Sequence, residues 1–218
     1  MSVCVEGNVL KELLGLLSLE KIEENIFRGQ SQDLGFGNVF GGQVLGQALS
    51  AASRTVGETL TAHSLHGYFM RAGNAALPIV YTVDPIRDGR SFATRRVKAV
   101  QKGRAIFSLS ASFHKGENGY SHQDPMPDVK GPEGIEPEVV MAKRLADHIP
   151  PKILEKLLCR KPIEIRVVNP VNPFDPTPMP PAKYVWFRAI DKLPDDPAVH
   201  RYMLAYASDF HLVSTALY

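Results

Sequence analysis

The stretch GGQVLGQALSAASRTV, residues 41–56, decides the fold. Val44, Leu45, Ala48, Leu49, Ala52 and Val56 recur at the helical period of 3.6 residues, while Gly41, Gly42, Gly46 and a set of alanines and serines fill most other positions. A surface helix carries Lys and Glu on its outer face, and this one carries almost none. Each glycine costs a helix about 1 kcal/mol relative to alanine, so three in one helix need a reason. The pattern implies a buried helix with a sheet wrapped too closely around it for large side chains.

Working outward, Leu10, Leu13, Leu14 and Leu17 keep helical spacing after Asn8, a suitable N-cap, and NIFRGQS at residues 25–31 reads as a short strand. Downstream of the glycine-rich helix, residues 62–70 and 77–87 read as strands. In the second, Ile79, Tyr81 and Val83 alternate with Val80, Thr82 and Asp84. Asp88-Gly89 is a strong hairpin signal, residues 91–101 form the return strand and Lys102-Gly103 marks the next turn. Residues 104–115 show a clean period of two: Ala105, Phe107, Leu109, Ala111 and Phe113 on one face, Ser108, Ser110, Ser112 and His114 on the other.

One strand, a buried small-residue helix and an antiparallel meander make an α+β layout of the hotdog type. Residues 116–136, rich in Pro, Gly and acidic groups, read as a linker, followed by helical patterns at 138–148 and 152–158 around Pro150-Pro151. Strand patterns at 163–169 and 183–190 flank a Pro-rich loop at 170–181, and Asp196-Pro197 opens a second helix as N-cap and N1. This helix carries Val199, Tyr202, Met203, Tyr206, Phe210 and Val213 on one side. The expected organisation is a double hotdog: residues 1–115 as the first domain, 116–160 as linker, and 161–218 as the start of a second whose later strands are absent. Such a truncated second domain is expected to leave Tyr202, Met203, Tyr206, Phe210 and Val213 uncovered.

Composition narrows the function. A net charge of +2, 8% aromatics and no long basic run argue against nucleic acid as partner. No run approaches the ~20 apolar residues of a membrane span, and residues 1–17 lack a signal-peptide pattern. The two cysteines, Cys4 and Cys159, have no metal or disulfide spacing, which implies a reducing, cytoplasmic compartment, and Cys159 reads as inert. There is no G-x-S-x-G nucleophile elbow, Walker A or dinucleotide fingerprint, and no cofactor is expected.

Asp209 is the leading chemical candidate. Its spacing from Tyr202, Tyr206 and Val213 places it on the apolar face of the second helix, where a carboxylate is costly without a partner or a task. A structural acid bonded to a backbone amide or tyrosine satisfies the same pattern. His63 and His66, three apart on a strand, are expected on opposite faces, which excludes a simple paired metal site. Either is a core or cleft histidine on sequence alone. Arg90 and Ser91, in RDGRSF at 87–92, offer charge and amides suited to phosphate oxygens, as does many a solvated turn.

The segments FRGQSQDLGFGNVFGGQVLGQAL, HSLHGYFMRAG, RDGRSFATRRVKAVQKGRAIFSLSASF and LAYASDF closely resemble the type II acyl-CoA thioesterase family. The resemblance runs over essentially the whole chain. It implies two fused hotdog domains, a place in fatty acid metabolism, and hydrolysis of acyl-CoA to fatty acid and CoA by an aspartate-activated water. It assigns the aspartate of the Y-A-S-D motif to Asp209 and a supporting histidine to His63. The family's Thr or Ser hydroxyl and Gln partners belong to strands expected after Tyr218. Acyl-CoA is the implied partner, with self-association into a homo-oligomer. Two other readings compete: a non-catalytic acyl-thioester-binding or interaction module, and a hotdog hydratase or dehydratase. The latter needs an acid–histidine pair near a helix start, and His211 lies two positions from Asp209, off its helical face.

Overall fold

The computed structural model describes residues 7–35, 37–171 and 180–215, without the side chains of Val213 and Ser214. Cys4, most of the Pro-rich loop and the residues after Thr215 lie outside this set. In chain order the elements are α1 (Val9–Leu17), β1 (Glu20–Glu23), β2 (Ile26–Gly29), α2 (Gly41–Ser53), β3 (Leu60–Phe69), β4 (Ile79–Asp88), β5 (Phe92–Gln101) and β6 (Arg104–Lys115), followed by α3 (Glu138–Arg144), α4 (Pro151–Leu158), β7 (Ile163–Val167), β8 (Val185–Ala189), α5 (Pro197–Ala207) and α6 (Leu212–Thr215). They fall into two units: Lys11–Gly119 with Leu193–Ser208, and Met1–Leu10 with Tyr120–Lys192 and Asp209–Tyr218.

The larger unit holds a six-stranded antiparallel sheet in the order β1-β2-β4-β5-β6-β3. Period-two patterning aims Ile79, Tyr81, Ala93, Val97, Phe107, Leu109, Ala111 and Phe113 inward, where they meet Val44, Ala48, Leu49 and Ala52 of α2. Eleven of the 13 residues of α2 are buried, as the glycine-rich pattern implies.

What the glycines face differs from expectation. A Cβ added at Gly42 would lie 2.2 Å from the Tyr206 carbonyl oxygen and 2.5 Å from the Phe40 ring. At Gly46 it would lie 2.7 Å from the Leu17 side chain and 3.2 Å from the Tyr202 carbonyl oxygen. The small residues therefore admit the backbone of a second helix, α5, and the end of α1, rather than a tightly wrapped sheet. This corrects the exposure expected for α5 as well. Met203 and Tyr206 are buried and Tyr202 is half-buried, because α2 covers them, and Leu204 is the large apolar side chain left exposed. Asp196 caps α5 as its sequence implies, accepting a hydrogen bond from Ala198 N at 2.8 Å.

Among the described residues, the buried polar side chains of this unit have hydrogen-bond partners. Gln47 Nε2 donates to the carbonyls of Leu16 (2.7 Å) and Gln30 (2.9 Å), while its Oε1 accepts from Tyr81 Oη at 2.7 Å. Gln43 Nε2 donates to Gln30 O (3.0 Å), its Oε1 accepts from Gln32 N (3.1 Å), and Ser50 Oγ donates to Leu17 O (2.8 Å). Burial pushes the Tyr81 phenol well above its ordinary pKa, so it remains a donor. The last carbonyls of α1 are thereby bound by α2, which fixes one helix on the other.

The two hairpins also differ from their signals. Lys102 and Gly103 take left-handed φ values of 47° and 72° and close a two-residue turn between Gln101 and Arg104. Asp88-Gly89 instead opens a wider connection, with Asp88 paired to Ala93. The reason is Arg95: buried, it binds the Asp88 carboxylate, the Arg87 carbonyl and both oxygens of Thr55, so Asp88 is recruited away from a tight turn.

In the smaller unit, β7 and β8 pair antiparallel and bury Ile163, Ile165 and Val167 on one face. Among the described residues no helix is long and apolar enough to cross a membrane.

Gly42→Ala is expected to destabilise by about 1–3 kcal/mol, since the clash is with a backbone carbonyl that cannot rotate away. Gly15→Ala, in open space on α1, should stabilise by roughly 0.5–1 kcal/mol. Urea midpoints of the two variants should move in opposite directions; a neutral Gly42→Ala would refute the close approach of α2 and α5.

Candidate functional site

Asp209 does not lie on a helix face. Helix α5 ends at Ala207, Ser208 caps it by donating from N to Leu204 O (2.9 Å) and from Oγ to Ala205 O (2.8 Å), and Asp209 sits half-buried in the turn before α6. Two local features stop the helix. The Ser208 hydroxyl competes for helix carbonyls, and His211 adopts a left-handed φ of 66°, which no right-handed helix accommodates. The expected helical spacing fails for that reason.

The same turn carries an ion pair absent from the sequence expectations. His211 Nε2 lies 3.0 Å from Glu138 Oε1, the first residue of α3, with both side chains largely buried. Burial alone would raise the Glu138 pKa. The hydrogen bond and charge of His211, with the charges of Lys161 and Lys183, outweigh it and hold the carboxyl below its ordinary range. Thr215 Oγ1 donates to His211 O at 3.1 Å, closing the turn on its other side. Glu138 reads in sequence only as a helix start, because its partner is remote along the chain.

His63 occupies a different setting, in the larger unit. A β-bulge between Ala62 and Ser64 adds one residue to β3 opposite β6. The bulge shifts the strand's phase, so the His63 ring bonds Ser112 Oγ at 2.9 Å, on the face where His66 pairs with Ser110. The opposite-face expectation for the two histidines is thus corrected. Beside His63, the His114 ring stacks on Phe92 at 4.3 Å and lies 3.7 Å from Glu117, which accepts from Ser91 Oγ at 3.2 Å. His63 and Ser91 therefore belong to one surface cluster at the end of β3, β5 and β6. Arg90 is exposed in the adjoining turn, where the Gly89 amide is already bonded to Phe92 O at 2.8 Å. Asp209 belongs to the other unit. Among the described residues no group of three or more His, Cys, Asp or Glu is gathered as metal ligands.

Residues 30–114 match the family described as acyl-CoA thioesterase N-terminal domain, and residues 155–218 match the family described as acyl-CoA thioesterase. The chain is 44% identical to acyl-CoA thioesterase 2 of Haemophilus influenzae, across 97% of its own length and 74% of the relative's. It is 39% identical to human acyl-coenzyme A thioesterase 8, across 93% of its length and 66% of the relative's. The crystal structure of an acyl-CoA thioesterase II from Mycobacterium marinum superposes with a TM-score of 0.70 at 40% identity, covering 94% of this chain and 70% of that one. A hot dog fold protein of Alicyclobacillus acidocaldarius reaches a TM-score of 0.71 at 22% identity, over 92% and 69% of the two chains, a likeness of fold alone.

The Glu138–His211 pair sets a pH dependence. Because the folded carboxyl titrates below its ordinary value near 4.5, the stability it contributes is present above that pH and is lost as pH falls through the lower folded value. Unfolding midpoints measured from pH 7 downward should therefore decline less steeply for Glu138→Gln than for the parent chain. Parallel curves would remove the pair from the stability of this turn.

Proposed function

The chain belongs to the acyl-CoA thioesterase family, and from that premise we propose that it hydrolyses fatty acyl-CoA thioesters through a water activated by Asp209. The observation that carries the assignment of Asp209 is its placement in a half-buried turn directly after α5, whose buried face meets the central helix α2. In this reading the carboxylate takes a proton from water, the water oxygen bonds to the thioester carbon and the C–S bond breaks. The CoA sulfur then leaves as thiolate and collects the proton. A thioester is activated enough for a general base and an oriented water to suffice without a covalent intermediate. The oxyanion requires donors aimed at it, a role for backbone amides near a helix N-terminus.

His63 is the supporting group in this proposal, and Arg90 and Ser91 are contacts for the anionic end of CoA. Their support is the shared position of His63 and Ser91 in the polar cluster, with exposed Arg90 beside it. The domain reading is a first hotdog over residues 1–115, a linker over 116–160 and part of a second hotdog over 161–218. Self-association is supported by edge strand β3, which has no Lys, Arg, Asp, Glu or Pro and exposes Leu65, Tyr68 and Phe69. A content of only two cysteines, without metal or disulfide spacing, supports a cytoplasmic location.

Asp209→Asn is expected to keep the fold and lower octanoyl-CoA hydrolysis at least about 100-fold, the scale of a lost general base. Release of CoA thiol and a matched circular dichroism spectrum are the measurements. A folded Asn variant with parental turnover would return Asp209 to a structural role.

A further inference from the structure

A non-glycine residue with a left-handed φ persists only where its surroundings over-determine it. His211, at φ 66°, is such a residue, and it lies two positions after Asp209. Its carbonyl is bound by Thr215, and its imidazole is bound by Glu138 from the start of α3. The backbone from Asp209 to His211 is thus fixed at its far end by one carboxylate delivered from a separate helix. That carboxylate is itself embedded among positive groups, His211, Lys161 and Lys183, so it stays charged and oriented.

We infer that Glu138 is a positioning residue for Asp209: its hydrogen bond to His211 holds the Asp209–Phe210–His211 turn in the conformation that sets the direction of the Asp209 carboxylate. The inference rests on the role of Asp209 proposed above, and its geometric part stands apart from it. Without the Glu138 bond, His211 loses the side-chain contact that opposes relaxation of its backbone. Relaxation of its φ toward the right-handed region swings the peptide planes on both sides of Phe210. A displaced general base loses turnover more than substrate affinity, because the misplaced group acts on the attacking water and not on the bound acyl chain.

The test uses the full chain in three forms: parent, Glu138→Ala and Glu138→Gln. The backbone three-bond coupling and chemical shifts of His211 report its φ, and octanoyl-CoA hydrolysis is measured below the melting temperature of every form, with Asp209→Asn alongside. Glu138→Ala is expected to move His211 out of the left-handed region and to lower kcat roughly tenfold with KM within about twofold. Glu138→Gln keeps an acceptor for His211 Nε2 and should recover the left-handed signature and most of kcat. A left-handed His211 in Glu138→Ala would overturn the inference, and so would an unchanged kcat in a preparation where Asp209→Asn is inactive. Should Asp209→Asn keep its activity, the proposed function falls instead, and the coupling at His211 still decides whether Glu138 holds the turn. If Glu138→Ala does not fold, the Gln form decides: a left-handed His211 with near-parental kcat supports the inference, and a tenfold loss of kcat with that geometry intact overturns it.

Discussion

The close approach of two helix backbones at Gly42 is the constraint on which the larger unit depends. With a side chain at that position, the Tyr206 carbonyl could not come within van der Waals distance of α2. Because it does, α5 buries Met203 and Tyr206 against a helix already enclosed by the sheet on its other side. Burial of such side chains contributes roughly 1.5–3 kcal/mol each, a large share of a typical domain's stability. The glycines that weaken α2 as an isolated helix therefore strengthen the packed unit, through contacts that larger residues would block.

Polar side chains inside the unit cap backbone groups of neighbouring elements. Gln43, Gln47 and Ser50 bind the ends of α1 and the strand exit at Gln30, and Arg95 ties Thr55 at the end of α2 to the β4–β5 hairpin. Each of these is a polar group whose burial would be costly if unpaired, by about 1–3 kcal/mol. Paired, they fix which end of each element meets which neighbour, a specificity that apolar contacts alone supply poorly.

The electrostatics of the smaller unit have a different character. Glu138 meets His211 at 3.0 Å beside the turn that carries Asp209, and the charges of Lys161 and Lys183 act on it too. Glu164 sits between Arg166 and Arg188 on the β7–β8 pair: burial raises its carboxyl, and the hydrogen bonds and charges of both arginines together outweigh that and hold it low. In the second cluster Arg188 is exposed, so its share of the interaction is screened by solvent. The first adjoins a backbone strained at His211, so a single contact there has leverage over the residue the family resemblance assigns to chemistry.

Local pattern was enough for much of this molecule. Period-two alternation at residues 104–115, helical spacing around Gly41–Ser53 and the Asp196-Pro197 cap are properties of short segments, and each segment folds as its own chemistry dictates. The Y-A-S-D motif is likewise local, and the proposal for Asp209 starts from it. Four features were not legible, and all depend on contacts between different elements. Gly42 meets Tyr206, Asp88 is diverted by Arg95, a bulge rephases His63 and His66, and Glu138 finds His211. Sequence by itself determined which faces are apolar and where elements begin, because those follow from propensity and period. Only the tertiary structure decided which backbone a glycine admits and which charge a histidine meets, because those are set by distances between segments that no spacing along the chain encodes.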